Sequence, residues 1–314
     1  MKKNFIIAVL ILVPIFAFSY SELPYFNIPI GAKSAALGGA YTAVSGDIEG
    51  LWYNPAGIAD IANAQIKASH SSWLGGINME YLMLGLPLGD SMACGVIANY
   101  NYSVDRLVNE AGYDYGEFNT SNLILIAGYG IQFELIRAGI GVKFTKETFD
   151  VQQAQNAAGE DLGFVQGVFG VLVDAGVQAD RTDNIAIALT AGNVVGSLKD
   201  DITGIAQQLP VLIKTGASEK GLIKGMLVTE EYTVNITDGY GFPAMGIQQE
   251  FDFGKLIMAI RCGYNMQRTG IGGIAGLTTG IGFGFGNFKF DYDFEPYELF
   301  GMTHKLAIEY DFGK

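Results

Sequence analysis

Hydrophobic and polar residues alternate with a period of two along much of this chain. From Phe288 to Phe294, four aromatic residues point one way while one lysine and two aspartates point the other way. The segments Arg137–Phe144 and Leu256–Tyr264 repeat this alternation, with arginine, lysine and glycine on the polar face. An apolar face rich in aromatic residues, opposite a polar face, is typical of transmembrane β-strands. A soluble β-sandwich also alternates, with its apolar face inward, so alternation alone leaves that alternative open.

Runs of this kind predict about fourteen strands and an all-β fold. They are Ala64–Leu74, Gly76–Leu88, Ser91–Tyr102, Ser121–Tyr129, Phe133–Thr145, Phe164–Ala179, Asn184–Val194, Pro210–Ser218, Leu222–Asn235, Pro243–Phe253, Lys255–Gln267, Gly272–Phe285, Asn287–Phe294 and Met302–Phe312. Long and short connections alternate between them, with Gly75 as the exception. Outer-membrane barrels have short periplasmic turns and longer outer loops, so this order predicts an antiparallel transmembrane barrel.

Composition agrees with a membrane barrel. Charged residues make up only 16% of the chain, glycine occurs 43 times and the mean hydropathy is +0.26. The longest uncharged stretch, 269–288, contains eight glycines, each of which costs a helix about 1 kcal/mol relative to alanine. An exported apolar chain without spanning helices satisfies its backbone in lipid only as a closed barrel.

The first residues predict export. Lys2 and Lys3 precede the apolar run Phe5–Phe18, and Ala17 and Ser19 fit the −3 and −1 positions of a signal-peptide cleavage site. We therefore expect residues 1–19 to be a cleaved signal peptide and the protein to reside in the outer membrane.

The segment between this signal and the first strand does not alternate. It contains the small-residue stretch Gly31–Ala40 and the sequence Asn54-Pro55-Ala56-Gly57, in which Asn can cap a helix start and Pro fits its first position. Short helical turns of small residues suit a narrow lumen. We expect residues 20–63 to form a hatch that plugs a barrel of residues 64–314.

The run from Gly31 to Ala59 resembles the N-terminal signature of PorV/PorQ-type outer-membrane proteins of the FadL-like superfamily. The motif Asn54-Pro55-Ala56-Gly57 matches the superfamily's hatch motif, and the resemblance continues through Asp174–Val177, Gly192-Asn193 and Leu209-Pro210. It ends with Phe290–Tyr292 and His304–Leu306. The resemblance implies a fourteen-stranded barrel with an N-terminal hatch. The alternating residues of the last strand resemble the signal read by the barrel-assembly machinery: Leu306, Ile308, Tyr310 and Phe312.

Few residues point to other chemistry. The net charge of −13 argues against nucleic-acid binding, and the two histidines are too few and too separated for a metal site, so we expect no cofactor. Cys94 and Cys262 are expected to be lipid-facing free thiols. We expect charged side chains that neutralise one another in the lumen, or alternatively line a polar substrate path, at Arg137, Lys143, Arg261, Lys289, Asp291, Asp293, Glu309 and Asp311.

Enzymatic interpretations are weak. Gly270, Gly272 and Ala275 match a dinucleotide-binding spacing, but the glycines that follow exclude the required helix. His70 and Ser71 cannot form the catalytic pair of a barrel hydrolase, because neighbouring residues of a strand face opposite sides. A nucleophile on an adjacent strand remains the only alternative for such an enzyme.

Two functions remain. A FadL-like barrel would pass small hydrophobic molecules, through a pocket lined from below by Leu51, Trp52 and Tyr53 and from above by the loops Ser103–Thr120 and Lys146–Gly163. A PorV-like barrel would instead dock secreted protein cargo or partners of type IX secretion through its outer loops. An apolar outer loop would favour ligand capture and a polar one docking.

Overall fold

The chain folds into a closed antiparallel β-barrel. The computed structural model describes residues 28–108, 112, 114–151, 165–207, 210–270 and 272–313. Its strands are β1 Gln65–Ser72, β2 Asn78–Pro87, β3 Met92–Val108, β4 Asp114–Phe133, β5 Ile136–Asp150, β6 Val165–Asp180, β7 Ile185–Asp200, β8 Ala206–Gln207, β9 Leu212–Lys220, β10 Met226–Asn235, β11 Tyr240–Asp252, β12 Leu256–Asn265, β13 Leu277–Phe285, β14 Phe288–Pro296 and β15 Met302–Asp311. β8 has two residues and pairs only with the end of β7, so fourteen strands form the wall.

Each wall strand pairs with its neighbours in sequence, and β1 pairs with β15 to close the ring. The fourteen predicted strands each correspond to one of these, so the predicted fold class is confirmed. The signal-peptide region lies outside the described residues.

The face of each strand follows the predicted alternation. In β14, the aromatic side chains of Phe288 and Phe290 are exposed outward, whereas Asp291 and Asp293 are buried inside. An apolar exterior around a polar interior is the arrangement that lipid requires of a barrel. Cys94 and Cys262 are free thiols on outward-facing positions, as predicted.

Strand lengths make the barrel lopsided. β3 to β7 have 15 to 20 residues, whereas β1, β2 and β9 to β15 have 8 to 13. We call β3–β7 the tall wall and the remaining strands the low wall. Two-to-five-residue turns join strands at one end, which we call the short-turn end, and the connections predicted to be longer lie at the opposite, long-loop end.

The prediction of a loop at Ser103–Thr120 was wrong for most of its length. Ser103 pairs with Thr120 and Asp105 with Phe118, so most of this stretch belongs to the β3–β4 hairpin. The predicted loop Lys146–Gly163 likewise begins inside β5, and its greater part lies outside the described residues. Where a strand extends beyond the membrane, its outer face meets water and needs no apolar side chains. Its backbone hydrogen bonds continue there, but the alternation that identifies a strand in the sequence is lost.

The non-strand elements are short. They are the α-helices α1 Ala32–Ala35 and α2 Gly50–Tyr53 and the 3₁₀ turns Pro55–Asp60, Leu74–Gly76, Met266–Gly270 and Glu298–Phe300. Within the described residues, a helix long and apolar enough to cross a membrane was not found.

Candidate functional site: the lumen and its N-terminal segment

Residues 28–61, which we call the inner segment, lie inside the barrel. Almost all of them are buried, including α1 and α2 and the 3₁₀ turn that follows. Leu37, Ile48, Leu51 and Ile58 belong to one buried apolar cluster, which also includes inward-facing wall residues such as Ile97. The segment therefore occupies the lumen that the strands enclose.

Glycines of the wall make room for this segment. A Cβ atom at Gly139 would overlap the backbone of Pro55, one at Gly176 would overlap Asn54, and one at Gly263 would overlap Gly38. Several other inward-facing glycines are crowded in the same way, namely Gly95, Gly128, Gly246 and Gly280. The alternation of glycine with charge on the polar face thus has a steric reason: the backbones of segment and wall come into direct contact.

The motif Asn54–Gly57 fixes the turn that faces β5 and β6. Asn54 Oδ1 accepts a hydrogen bond from the backbone N–H of Ala56 at 3.0 Å, which is the helix cap that the sequence predicts. Its amide Nδ2 donates to the carbonyl oxygen of Thr42 at 2.9 Å. A Cβ atom at Gly57 would lie 2.8 Å from the carbonyl oxygen of Val44, so only glycine fits there.

A buried ion cluster joins the segment to β1 and β15. Lys67 Nζ lies 2.7 Å from Glu49 Oε1, 3.0 Å from Glu309 Oε2 and 3.5 Å from Asp47 Oδ1. Asp47 also accepts a hydrogen bond from Lys33 at 2.9 Å. Burial alone would raise the pKa of Asp47, but Lys33 and Lys67 outweigh burial and hold it well below its usual range. Asp47 is therefore charged at neutral pH.

Two further sites hold the segment to the opposite wall. Arg137 binds Asp60 of the segment through Nε and Asp180 of β6 through Nη2 at 2.6 Å. Glu231 Oε2 accepts hydrogen bonds from the backbone N–H groups of Tyr41 and Thr42 at 3.1 and 3.0 Å. Sequence reasoning missed Lys67 and Glu231, although the alternation of β1 and β10 places both on the inward face.

The predicted lumen charges all face inward, and all except Asp311 take part in ion pairs among the described residues. Arg261 binds Asp291 at 2.6 Å, Lys143 binds Asp174 at 2.6 Å, and Lys289 binds Glu309. Asp293 lies 3.4 Å from Lys305, which also binds Glu295 at 2.9 Å. Asp311 accepts a hydrogen bond from the backbone of Gly313 near the C-terminus.

Three sequence motifs that are distant in the chain meet at a bulge in β7. The ladder between β6 and β7 shifts register between Val173 and Ala175, and Asn193 adopts a positive φ of 57°. Asp174 Oδ1 accepts a hydrogen bond from Asn193 N at 2.8 Å, and Asn193 Nδ2 donates to Pro210 O at 2.9 Å. The bulge in the middle of β7 is thus tied to the residues that immediately precede β9.

Leu51, Trp52 and Tyr53 are all buried in α2. Lys143 Nζ lies 5.8 Å from the centre of the Trp52 ring, and Tyr53 Oη donates to Ser34 Oγ at 3.1 Å. The cavities that border Trp52 and Tyr53 have volumes of about 30 and 20 Å³, which is room for a water molecule each. The ligand pocket predicted above these residues remains a prediction.

A much larger cavity, of about 820 Å³, lies at the short-turn end. Its lining includes Lys33 and Asp47 of the inner segment, and Ile257, Ala259 and Gly284 of β12 and β13. The wall also contributes charged groups to the lining, among them Arg261, Asp291 and Glu309, so the cavity has a mixed polar and apolar lining. Sequence reasoning could not place it, because its position depends on which side of the lumen the segment fills.

Other predicted residues lie outside the lumen. Leu306, Ile308, Tyr310 and Phe312 face outward, and the Tyr310 ring packs edge-on against Phe312 and Phe288 at 4.8 and 4.9 Å. His70 faces outward with its Nδ1 atom 2.8 Å from Glu80 Oε1. Among the described residues, a cluster of metal-ligating side chains was not found. Gly270, Gly272 and Ala275 lie in the β12–β13 connection.

Searches of protein-family models and of curated sequences found no match. Solved structures share the fold. The Pseudomonas putida toluene transporter TodX is 11% identical, with a TM-score of 0.60 over 90% of this chain and 97% of that chain. The CymD monoaromatic hydrocarbon channel is 12% identical, with a TM-score of 0.60 over 91% and 98%. A Pseudomonas aeruginosa FadL homologue is 10% identical, with a TM-score of 0.57 over 88% and 96%. The chain therefore has the fold of FadL-type outer-membrane channels.

Proposed function

We propose that this chain is an outer-membrane channel that passes small hydrophobic molecules, with the inner segment as its hatch. The observation that carries this proposal is the filled lumen beside a cavity of about 820 Å³, whose mixed lining includes the apolar groups of Ile257, Ala259 and Phe283. Small-molecule sites commonly measure about 300–1,000 Å³, so the cavity is large enough for such a solute. The similar structures described as hydrocarbon channels support the same class of solute.

A filled lumen argues against a general diffusion pore. The inner segment contacts the wall through the Lys67 cluster, through Arg137 and through Glu231. Water and ions do not pass freely through a lumen filled in this way. A solute that binds in the cavity can cross when the inner segment moves aside. A cleaved signal peptide and insertion by the barrel-assembly machinery belong to this proposal, as does the role of Leu306–Phe312 as the assembly signal.

Uptake by cells tests the proposal. Cells that lack their own hydrocarbon channel should take up a radiolabelled monoaromatic compound faster when they express this chain. Gly284→Phe should reduce that uptake, because Gly284 lines the cavity and a phenyl ring there would fill part of it. A Cβ atom at position 284 would meet no atom closer than 3.5 Å, so the substitution should not disturb the strand. Leu256→Phe, on the outward face of β12, is the matched control and should leave uptake unchanged. Equal uptake with and without the chain would overturn the proposal.

A PorV-like docking role is the second candidate, favoured by the tip of the tall wall. Ile202 and Ile205, in the connection from β7 to β9, are 63% and 66% exposed at the long-loop end. Apolar tips held in water are typical of protein-binding surfaces. If Ile202→Ser with Ile205→Ser abolished the capture of a secreted protein while hydrocarbon uptake persisted, the docking role would be additional. If the double variant lost cargo capture and the parent chain showed no hydrocarbon uptake, docking would be the function of this chain in place of transport.

A further inference from the structure

The low wall ends in an exposed apolar surface that the lumen does not use. Leu299 and Phe300, in the connection from β14 to β15, are 99% and 67% exposed, and Ile274 and Met302 beside them are 58% and 59% exposed. We call these four residues the apolar lip. Such a concentration of exposed large apolar side chains requires a partner.

The lip is held rigidly in place. Glu298 Oε1 accepts a hydrogen bond from the backbone N–H of Ile274 at 3.0 Å, which ties the two loops together. Beneath them, the buried ring of Tyr297 packs edge-on against Trp73 at 6.4 Å, and the guanidinium of Arg268 lies 4.8 Å from its centre. Arg268 is in turn bound to Glu295 at 3.0 Å. The apolar side chains are thus presented outward by a fixed base.

The height of the lip follows from strand length. A rise of about 3.3 Å per residue and a tilt of about 40° advance a barrel strand by roughly 2.5 Å per residue along the axis. β14 therefore rises by about 20 Å, and the lip stands just above it, whereas the apolar band of such barrels is about 25 Å tall. β7 rises by roughly 33 Å on the same basis when the two extra residues of its bulge are left out, which puts Ile202 above that band.

We propose that the apolar lip is inserted among the acyl chains of the outer leaflet and anchors the low wall there. The lip continues the lipid-facing surface of β15, because Met302 and Leu306 lie on the same outward face. Its side chains offer acyl chains the same apolar contact that the strands offer below. The tall wall, by contrast, stands in water on the opposite side of the mouth. This inference does not depend on which solute the barrel passes.

Site-directed labelling tests the insertion. In a Cys94→Ala, Cys262→Ala background, Phe300→Cys and Ile202→Cys are each labelled with an environment-sensitive fluorophore, and the folded barrels are placed in vesicles that contain brominated phospholipids. The two positions are matched, since both are exposed apolar residues in connections at the long-loop end. We expect several-fold stronger quenching by bromine at position 300 than at position 202, with a blue-shifted emission at position 300 only. Migration of unheated samples on a denaturing gel confirms folding of each variant.

Three results would overturn the proposal. Equal, weak quenching would mean that the lip stands in water. Equal, strong quenching would mean that both walls lie in lipid at this end, which contradicts the proposed anchoring of the low wall alone. A blue-shifted but unquenched label at position 300 would mean that protein, such as a second copy of this chain, covers the lip.

Discussion

The Nζ atom of Lys67 lies 2.7 Å from Oε1 of Glu49, and neither side chain is exposed to solvent. The first residue belongs to the barrel wall and the second to the inner segment, so this pair joins the two parts of the lumen. Glu309 and Asp47 complete the cluster around the same ammonium group. At this cluster, the attachment of the segment to β1 depends on the Lys67 cation.

Lys67→Met should loosen the inner segment without removing much volume. It leaves Glu49 and Glu309 buried without their cation, and breaking a buried pair in this way costs about 3–5 kcal/mol. We expect higher ion conductance of barrels reconstituted in planar bilayers. Lys255→Met, at the exposed β11–β12 turn, is the control and should conduct like the parent. A Lys67→Met barrel as closed as the parent would show that the cluster does not hold the segment.

Asn54→Ala should have a smaller effect of the same kind. The substitution removes the cap on Ala56 N and the bond to Thr42 O, and a cap of this type contributes about 1 kcal/mol. We expect proteolysis of the inner segment at lower protease concentration, while heat-dependent gel migration stays that of a folded barrel. Asn63→Ala, just outside the segment, is the control. Unchanged proteolysis would remove the support for Asn54–Gly57 as a hatch motif.

Gly139→Ala should strain the contact between wall and segment. The new Cβ atom would overlap the backbone of Pro55, and overpacking a tight interface typically costs about 1–3 kcal/mol. Gly141→Ala is a matched control on the same face of β5, because its Cβ atom would lie 3.4 Å from Pro55 Cγ. We expect a lower unfolding temperature for Gly139→Ala only. The same unfolding temperature in both variants would contradict the proposed contact.

Acid should weaken the segment's attachment through Asp47. Lys33 and Lys67 depress the folded-state pKa of Asp47, so its contribution is complete above the ordinary value of 3.8. The contribution declines below that value and disappears once the pH falls below the depressed pKa. Proteolysis with an acid-active protease should therefore accelerate in strong acid, and less so in Asp47→Asn. An identical acid response in the two proteins would assign the effect to other carboxylates.

Alternation identified the wall strands because lipid on one side and a polar lumen on the other impose opposite demands on neighbouring residues. It could not give the upper limits of β3 and β4, where polar pairs such as Ser103 and Thr120 continue the ladder in water. Alternation also shows that Lys67 faces inward but not which acid it meets, since Glu49 lies in the inner segment, directly before α2, where no strand alternation gives its direction. The sequence predicted that the wall glycines are small residues on the inward face. Their contacts with Pro55 and Gly38 could be identified only from the three-dimensional structure.

The apolar lip was in principle readable from sequence. Leu299 and Phe300 lie between the predicted strands Asn287–Phe294 and Met302–Phe312, and two adjacent large apolar residues in such a connection indicate an exposed apolar surface. Their height relative to the bilayer depends on the shortness of β14 and β15, and that comparison needs the observed strand ends of the whole barrel.

Fractionation of cells, combined with gel migration, tests the membrane barrel most directly. A folded transmembrane barrel resists detergent, so unheated and boiled samples should migrate differently on a denaturing gel. The protein should also sediment with outer membranes and remain there after washing with salt and urea. Recovery as a soluble periplasmic protein, with identical migration before and after boiling, would contradict the account.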